Sequence, residues 1–99
     1  MLTKALLVRL EALPGKEAEL ADFLTKARTI VMAEPGTIAW FAIQFGPSSF
    51  GVFDVFPDDE ARDAHLAGGV GQALGPNTGV LFSEPQVEKI DLLADKVPE

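Results

Sequence analysis

Apolar residues recur with a period of two in some stretches of the chain and near 3.6 in others, and the switches between these rhythms predict its elements. Residues 3–13 are aliphatic, with Arg9 and Glu11 on one parity, and read as a first strand closed by the turn Pro14-Gly15. From Lys16 to Ala33 the rhythm changes: Leu20, Phe23, Leu24, Ala27 and Val31 form one apolar stripe, while Lys16, Glu17, Glu19, Asp22 and Lys26 face away from it. This is an amphipathic helix, ended by Glu34-Pro35-Gly36. Residues 37–45 and 50–56 read as two strands joined through Gly46-Pro47-Ser48-Ser49. A short helix is expected from Asp58 to Ala67. Five of the nine glycines then fall between Gly68 and Gly79. Within this segment the run from Gly69 to Gly75 is read as a mobile flap over the mouth of a pocket, followed by a helical turn at Val80–Phe82. A last strand covers 86–93, before a polar tail at 94–99.

Strand, helix, strand, strand, helix, strand is the ferredoxin-like βαββαβ order, an α+β fold with two helices on one face of a four-stranded antiparallel sheet. Such a sheet should alternate apolar and polar residues when one face is wet. The second and third strands do not. Ile38, Trp40 and Ala42 share one parity and Phe41, Ile43 and Phe45 the other, and Phe50, Val52 and Phe56 oppose Phe53 and Val55. Two helices cover only one face, so a homodimer packed through the second sheet face is expected.

Ninety-nine residues correspond to a single domain spanning 1–99. The net charge of −7 opposes binding to nucleic acid or an anionic membrane, and no basic cluster reverses this locally. The four apolar residues before Arg9 are too few for a signal-peptide core or a membrane span, so a cytoplasmic location is expected. With no cysteine and one histidine, neither a disulfide framework nor a metal site is expected. The run from Gly69 to Gly75 has the wrong spacing for a dinucleotide loop and follows a helix instead of a strand.

The lone histidine, His65, is the principal candidate for chemistry. On a helical wheel it shares a side with Ala61, Ala64 and Gly68, with Arg62 among the polar residues on the remainder. Small residues around one imidazole leave space between helix and sheet for a ligand. Asp54 sits in a row with Phe50, Val52 and Phe56 and needs a partner if buried. The expected partners are His65, Arg9 or a backbone amide, with a structural hydrogen bond or a salt bridge to Arg9 ranked ahead of a functional pairing with His65. Trp40, Phe41, Phe53 and Phe56 are candidate walls of a site for a small aromatic ligand, although most such aromatics are core or interface anchors and only a minority line a site.

With these features together, the chain resembles the antibiotic biosynthesis monooxygenase-like family of dimeric α+β barrels. The resemblance spans nearly the whole sequence: Pro14-Gly15-Lys16 after the first strand, Glu34-Pro35-Gly36-Thr37 after the long helix, and Asp54-Val55-Phe56 followed by His65-Leu66. Asp54 stands where glutamate is more usual and Phe56 where tryptophan is. Val70 lies near the place of a second histidine, and tyrosine is lacking. The haem-degrading branch uses an asparagine in the first strand, whereas the only asparagine here is Asn77. The resemblance implies oxygenation of a phenol, hydroquinone or anthrone without metal, flavin or haem. His65 would act as base, Asp54 would orient it, and Trp40, Phe41, Phe53 and Phe56 would line the site. A non-catalytic ligand-binding or structural dimer, or an isomerase or decarboxylase, is the alternative on the same fold.

Overall fold

In strand β1 (Lys4–Glu11) two apolar rows alternate, Leu6, Val8 and Leu10 on one side and Ala5 and Leu7 on the other. The computed structural model describes residues 2–98. Gly15, at φ +82°, turns the chain into helix α1 (Glu17–Val31); an L side chain rarely adopts that conformation. Glu17 and Glu19 sit at the positive end of the helix dipole and Arg28 at the negative end. Leu20, Leu24, Ala27 and Val31 are buried, as the sequence stripe requires.

Strands β2 (Ala39–Gln44) and β3 (Ser49–Phe56) form the predicted hairpin, closed by the Phe45 N–H donating to the Ser49 carbonyl at 2.7 Å. Asp58 caps helix α2 (Asp59–Leu66) by accepting from the Ala61 N–H at 2.9 Å. The predicted glycine-rich flap is instead a helix, α3 (Gly69–Asn77). Its glycines allow close crossings. A Cβ on Gly71 would lie 2.2 Å from the Leu66 carbonyl oxygen, and one on Gly69 would lie 2.7 Å from the Ile30 side chain. Where a helical turn is expected at Val80–Phe82, the chain makes a turn at 79–81: the Val80 and Leu81 N–H groups donate to the Asn77 carbonyl and the Gly79 N–H to that of Phe82. Strand β4 (Gln86–Asp91) completes the sheet.

All neighbouring strands are antiparallel, in the order β2-β3-β1-β4. This is the ferredoxin-like arrangement with one added helix. The register puts Leu6 beside Asp54, Val8 beside Val52 and Leu10 beside Phe50, with Trp40 across from Asp54 on β2. This row packs under the helices with Leu20, Leu24 and Phe82. The opposite face carries a cross-strand row of Leu7, Phe53 and Phe41. There Phe41 remains 53% exposed and Phe45 49%.

Two placements on α2 differ from the wheel. Arg62 is only 7% exposed; its guanidinium donates to the carbonyl oxygens of Ala5 and Ile90 and to Asp59. The long aliphatic stem lets the charge reach those acceptors while the stem covers apolar surface. Ala64 is exposed, so the space created by the small residues lies along the side of α2 rather than wholly beneath it.

Candidate functional site

His65 is set at the C-terminal end of α2, just where Gly68 and Gly71 let α3 cross closely. Its side chain turns down toward the sheet and is 7% exposed. Asp54 reaches it from the centre of β3: His65 Nε2 lies 2.7 Å from Asp54 Oδ2. Neither Asp54 oxygen receives an aligned hydrogen bond, so this approach is an ion-pair contact with an off-axis N–H. The expected Arg9 partner is on the other sheet face, stacked 4.6 Å above the Phe45 ring. Strand alternation accounts for this: β1 pairs Arg9 with Gly51, opposite in parity to Asp54.

The other edge of the imidazole meets Glu34, from the run that ends α1. Glu34 Oε1 lies 2.5 Å from His65 Nδ1. The Thr37 hydroxyl donates to the same Glu34 oxygen at 2.8 Å and lies 3.4 Å from Nδ1. Glu34 and Thr37 flank Pro35-Gly36, whose tight path puts them beside α2; a Cβ on Gly36 would sit 3.1 Å from that of Ala61. The only sequence signal for Glu34 was its place in the Glu34-Pro35-Gly36-Thr37 run. Nothing in the periodicity says that this loop folds back on His65.

The imidazole is therefore clasped between two carboxylates. Burial opposes its charge, but the Asp54 and Glu34 carboxylates outweigh burial and raise its pKa above the usual 6.5. Asp54 is 1% exposed. Burial raises its pKa, the imidazole draws it partly back, and Glu34 adds to the rise. When the imidazole is protonated between two ionised carboxylates, the cluster carries a net charge of −1. It has the capacity for one proton more.

Both shifts act on stability with the same sign. A native pKa raised above 6.5 gives stabilisation that is complete below 6.5 and lost as pH climbs through the native value. A carboxyl raised above 3.8 likewise favours the fold most strongly in acid and loses that advantage above 3.8. The thermal midpoint is expected to fall as pH rises past 6.5, and His65→Gln should flatten that slope. Calorimetry across this range checks it; a midpoint that rises with pH would contradict the assignment.

Of the four aromatic wall candidates, two share the site's side of the sheet. Phe56 is fully buried, its ring centroid 5.3 Å from that of His65. Trp40 packs against both core clusters, with its indole N–H buried and unpartnered. Phe41 and Phe53 belong to the opposite face and cannot line a site at His65, again because strand parity separates them.

Two spaces meet at the imidazole. An open cleft of about 230 Å³ runs between α2 and the loop after α1, lined by Ala33, Pro35, Ala61 and Ala64 with Glu34, Thr37 and His65. A smaller cavity of about 30 Å³ lies on the inner side, among aliphatic residues. The cleft is apolar apart from the proton-carrying cluster at its floor. Among the described residues no group of carboxylates and imidazole is arranged to hold a metal ion. The two acids approach opposite ring edges and do not converge. No described helix is long and apolar enough to cross a membrane.

No family model matches the chain, and no curated protein matches it significantly in sequence. Solved structures do. A provisionally assigned antibiotic biosynthesis monooxygenase from Deinococcus radiodurans superposes with a TM-score of 0.80 at 17% identity, over 97% of each chain. One from Chloroflexus aurantiacus, likewise provisionally assigned, gives 0.73 at 16% identity, covering 96% of this chain and 97% of that one. At these identities the likeness is one of fold. The crystal structure of NE2512 from Nitrosomonas europaea, a protein of unknown function, matches with a TM-score of 0.97 over 100% of this chain and 97% of that one. Being 55% identical to it over this length, the chain belongs to the family of NE2512.

Proposed function

We propose that the protein is a cofactor-independent monooxygenase that oxidises a phenol, hydroquinone or anthrone-type compound with molecular oxygen. The observation that carries this reading is the Glu34–His65–Asp54 cluster at the floor of an apolar cleft. Such a substrate needs one thing above all from a protein: removal of a proton under conditions that disfavour water. The cleft admits a flat ring between Pro35 and the alanines of α2, with its acidic hydrogen toward Glu34, Thr37 and His65. The cluster takes up that proton, so the buried site becomes less negative as the substrate gains negative charge.

For an anthrone-type carbon the balance is complete without a further reductant. The carbanion adds dioxygen, and protonation by the cluster gives a hydroperoxide. Loss of the second hydrogen from that carbon expels water as the O–O bond breaks, leaving the ketone. The carbon gives up four electrons; one oxygen atom enters the product and the other leaves as water. The provisional assignment of fold neighbours as monooxygenases supports this class of reaction.

The test is oxygen uptake with an anthrone or hydroquinone, paired with product analysis under anaerobic conditions. Uptake matched by product is expected. Conversion without oxygen would instead select an isomerase or decarboxylase, and thermal stabilisation by the aromatic without turnover would select a binding protein.

We further propose that a second copy covers the free sheet face. Phe41, Phe53 and Leu7 form one row across three strands there, flanked by half-exposed Phe45. In a two-fold face-to-face pair each residue occurs twice at the contact, so Phe53→Glu introduces paired like charges into an apolar interface. Sedimentation is expected to give a dimer for the native chain and a monomer for this variant. A native monomer would refute the arrangement.

A further inference from the structure

The small inner cavity has the properties of a site for an apolar gas molecule. It lies between the sheet and helices α2 and α3, walled by Leu6, Val52, Leu66, Val70, Leu74 and one face of His65. Its roughly 30 Å³ is far too small for an aromatic ring. A water needs about 10–15 Å³ but also two to four polar partners. Here the sole polar wall is the imidazole, and carboxylates already occupy both of its nitrogens. Water therefore has no partner in the cavity, while an apolar diatomic needs none. The same imidazole also lines the outer cleft, so one side chain separates the two spaces.

We infer that this cavity binds dioxygen, held dry behind His65 while the organic substrate occupies the cleft in front. The role as an oxygen reservoir rests on the oxygenation proposed above; the binding itself does not. The arrangement also explains why α3 is built on glycine at its crossing with α2. Gly71 lines the cavity with Leu66, whose carbonyl oxygen a Cβ at position 71 would meet.

Dioxygen is paramagnetic, so it speeds the relaxation of nearby methyl groups, and the experiment uses the native chain with labelled leucine and valine methyls under oxygen pressure. Enhancement at Leu6, Val52, Val70 and Leu74 is expected to exceed that at Leu93, which is 99% exposed and samples only dissolved gas. Val70→Leu, which fills the cavity, should abolish the excess at Leu6 and Val52. Val52→Ile is the second filling variant, read at Leu6 and Val70. Enhancement no greater inside than at Leu93 would overturn the inference, even if oxygen uptake were seen. Selective enhancement in a protein that consumes no oxygen with any aromatic substrate would uphold the binding and remove the monooxygenase reading.

Discussion

His65→Gln is expected to leave the fold intact and to lower oxygen uptake by about 10²–10⁴-fold, the range for loss of a positioned acid-base group. The glutamine amide can still donate to one of the flanking carboxylates but has no titratable proton to exchange with them. His65→Ala is the harsher variant. It leaves Asp54 and Glu34 facing one another across a void, and removing one partner of a buried ion pair costs about 3–5 kcal/mol. Part of that cost is relieved if one carboxyl takes up a proton. The two substitutions therefore separate chemistry from structure: alanine opens a void and lowers stability most, whereas glutamine fills the space and loses less stability for a comparable loss of rate. Uptake by the glutamine variant equal to the native rate would exclude His65 from proton transfer. Asp54→Asn supplies a third reading. Without its carboxylate the imidazole keeps the burial but loses one of the two charges that offset it. Its pKa should drop relative to the native chain, as followed by ring-carbon chemical shifts.

Gly71→Ala is expected to destabilise the protein by about 1–3 kcal/mol, the usual cost of forcing extra volume into a packed contact. Helix propensity alone gives the opposite sign, since alanine in a helix interior is favoured over glycine by about 1 kcal/mol. The packing consideration wins because the obstacle is backbone. The new Cβ would fall 2.2 Å from the Leu66 carbonyl oxygen and 3.1 Å from its carbon, neither of which rotates aside. Helix α3 would have to lift off the end of α2, taking Val70 and Leu74 out of the inner cavity wall and loosening the turn that holds His65. Denaturant unfolding gives the sign directly. A more stable alanine variant would show that α2 and α3 do not cross as closely as described.

The strands and the long helix could be read from the chain because their rhythms are local. Leu20, Leu24, Ala27 and Val31 announce α1 wherever the rest of the protein lies, and Asp58 marks the start of α2. Helix α3 was hidden for the converse reason. Gly69, Gly71, Gly75 and Pro76 are poor helix formers, and the need for small residues there comes from the Leu66 carbonyl across the bend between α2 and α3 and from the Ile30 side chain on α1, neither of which a local rhythm reveals. Likewise the parity of β3 placed Asp54 among buried residues, yet parity alone could not choose between Arg9 and His65. That choice depends on which sheet face receives the helices. Arg62 shows the limit of a wheel: its stem length, not its angle, buries it. Glu34 was the least legible of all, since its pairing with His65 spans 31 positions and arises from the path of a loop.

Trp40 is the only indole in the chain, and it touches both core clusters from the edge strand β2 while facing Asp54 across the register. Its N–H is shielded and unpartnered, so its emission belongs at the blue end of the tryptophan range and should redden once solvent reaches it. The molecule thus carries its own fluorescent reporter. If the helices part from the sheet to admit a ligand, that colour change would register the opening while the strands are still paired.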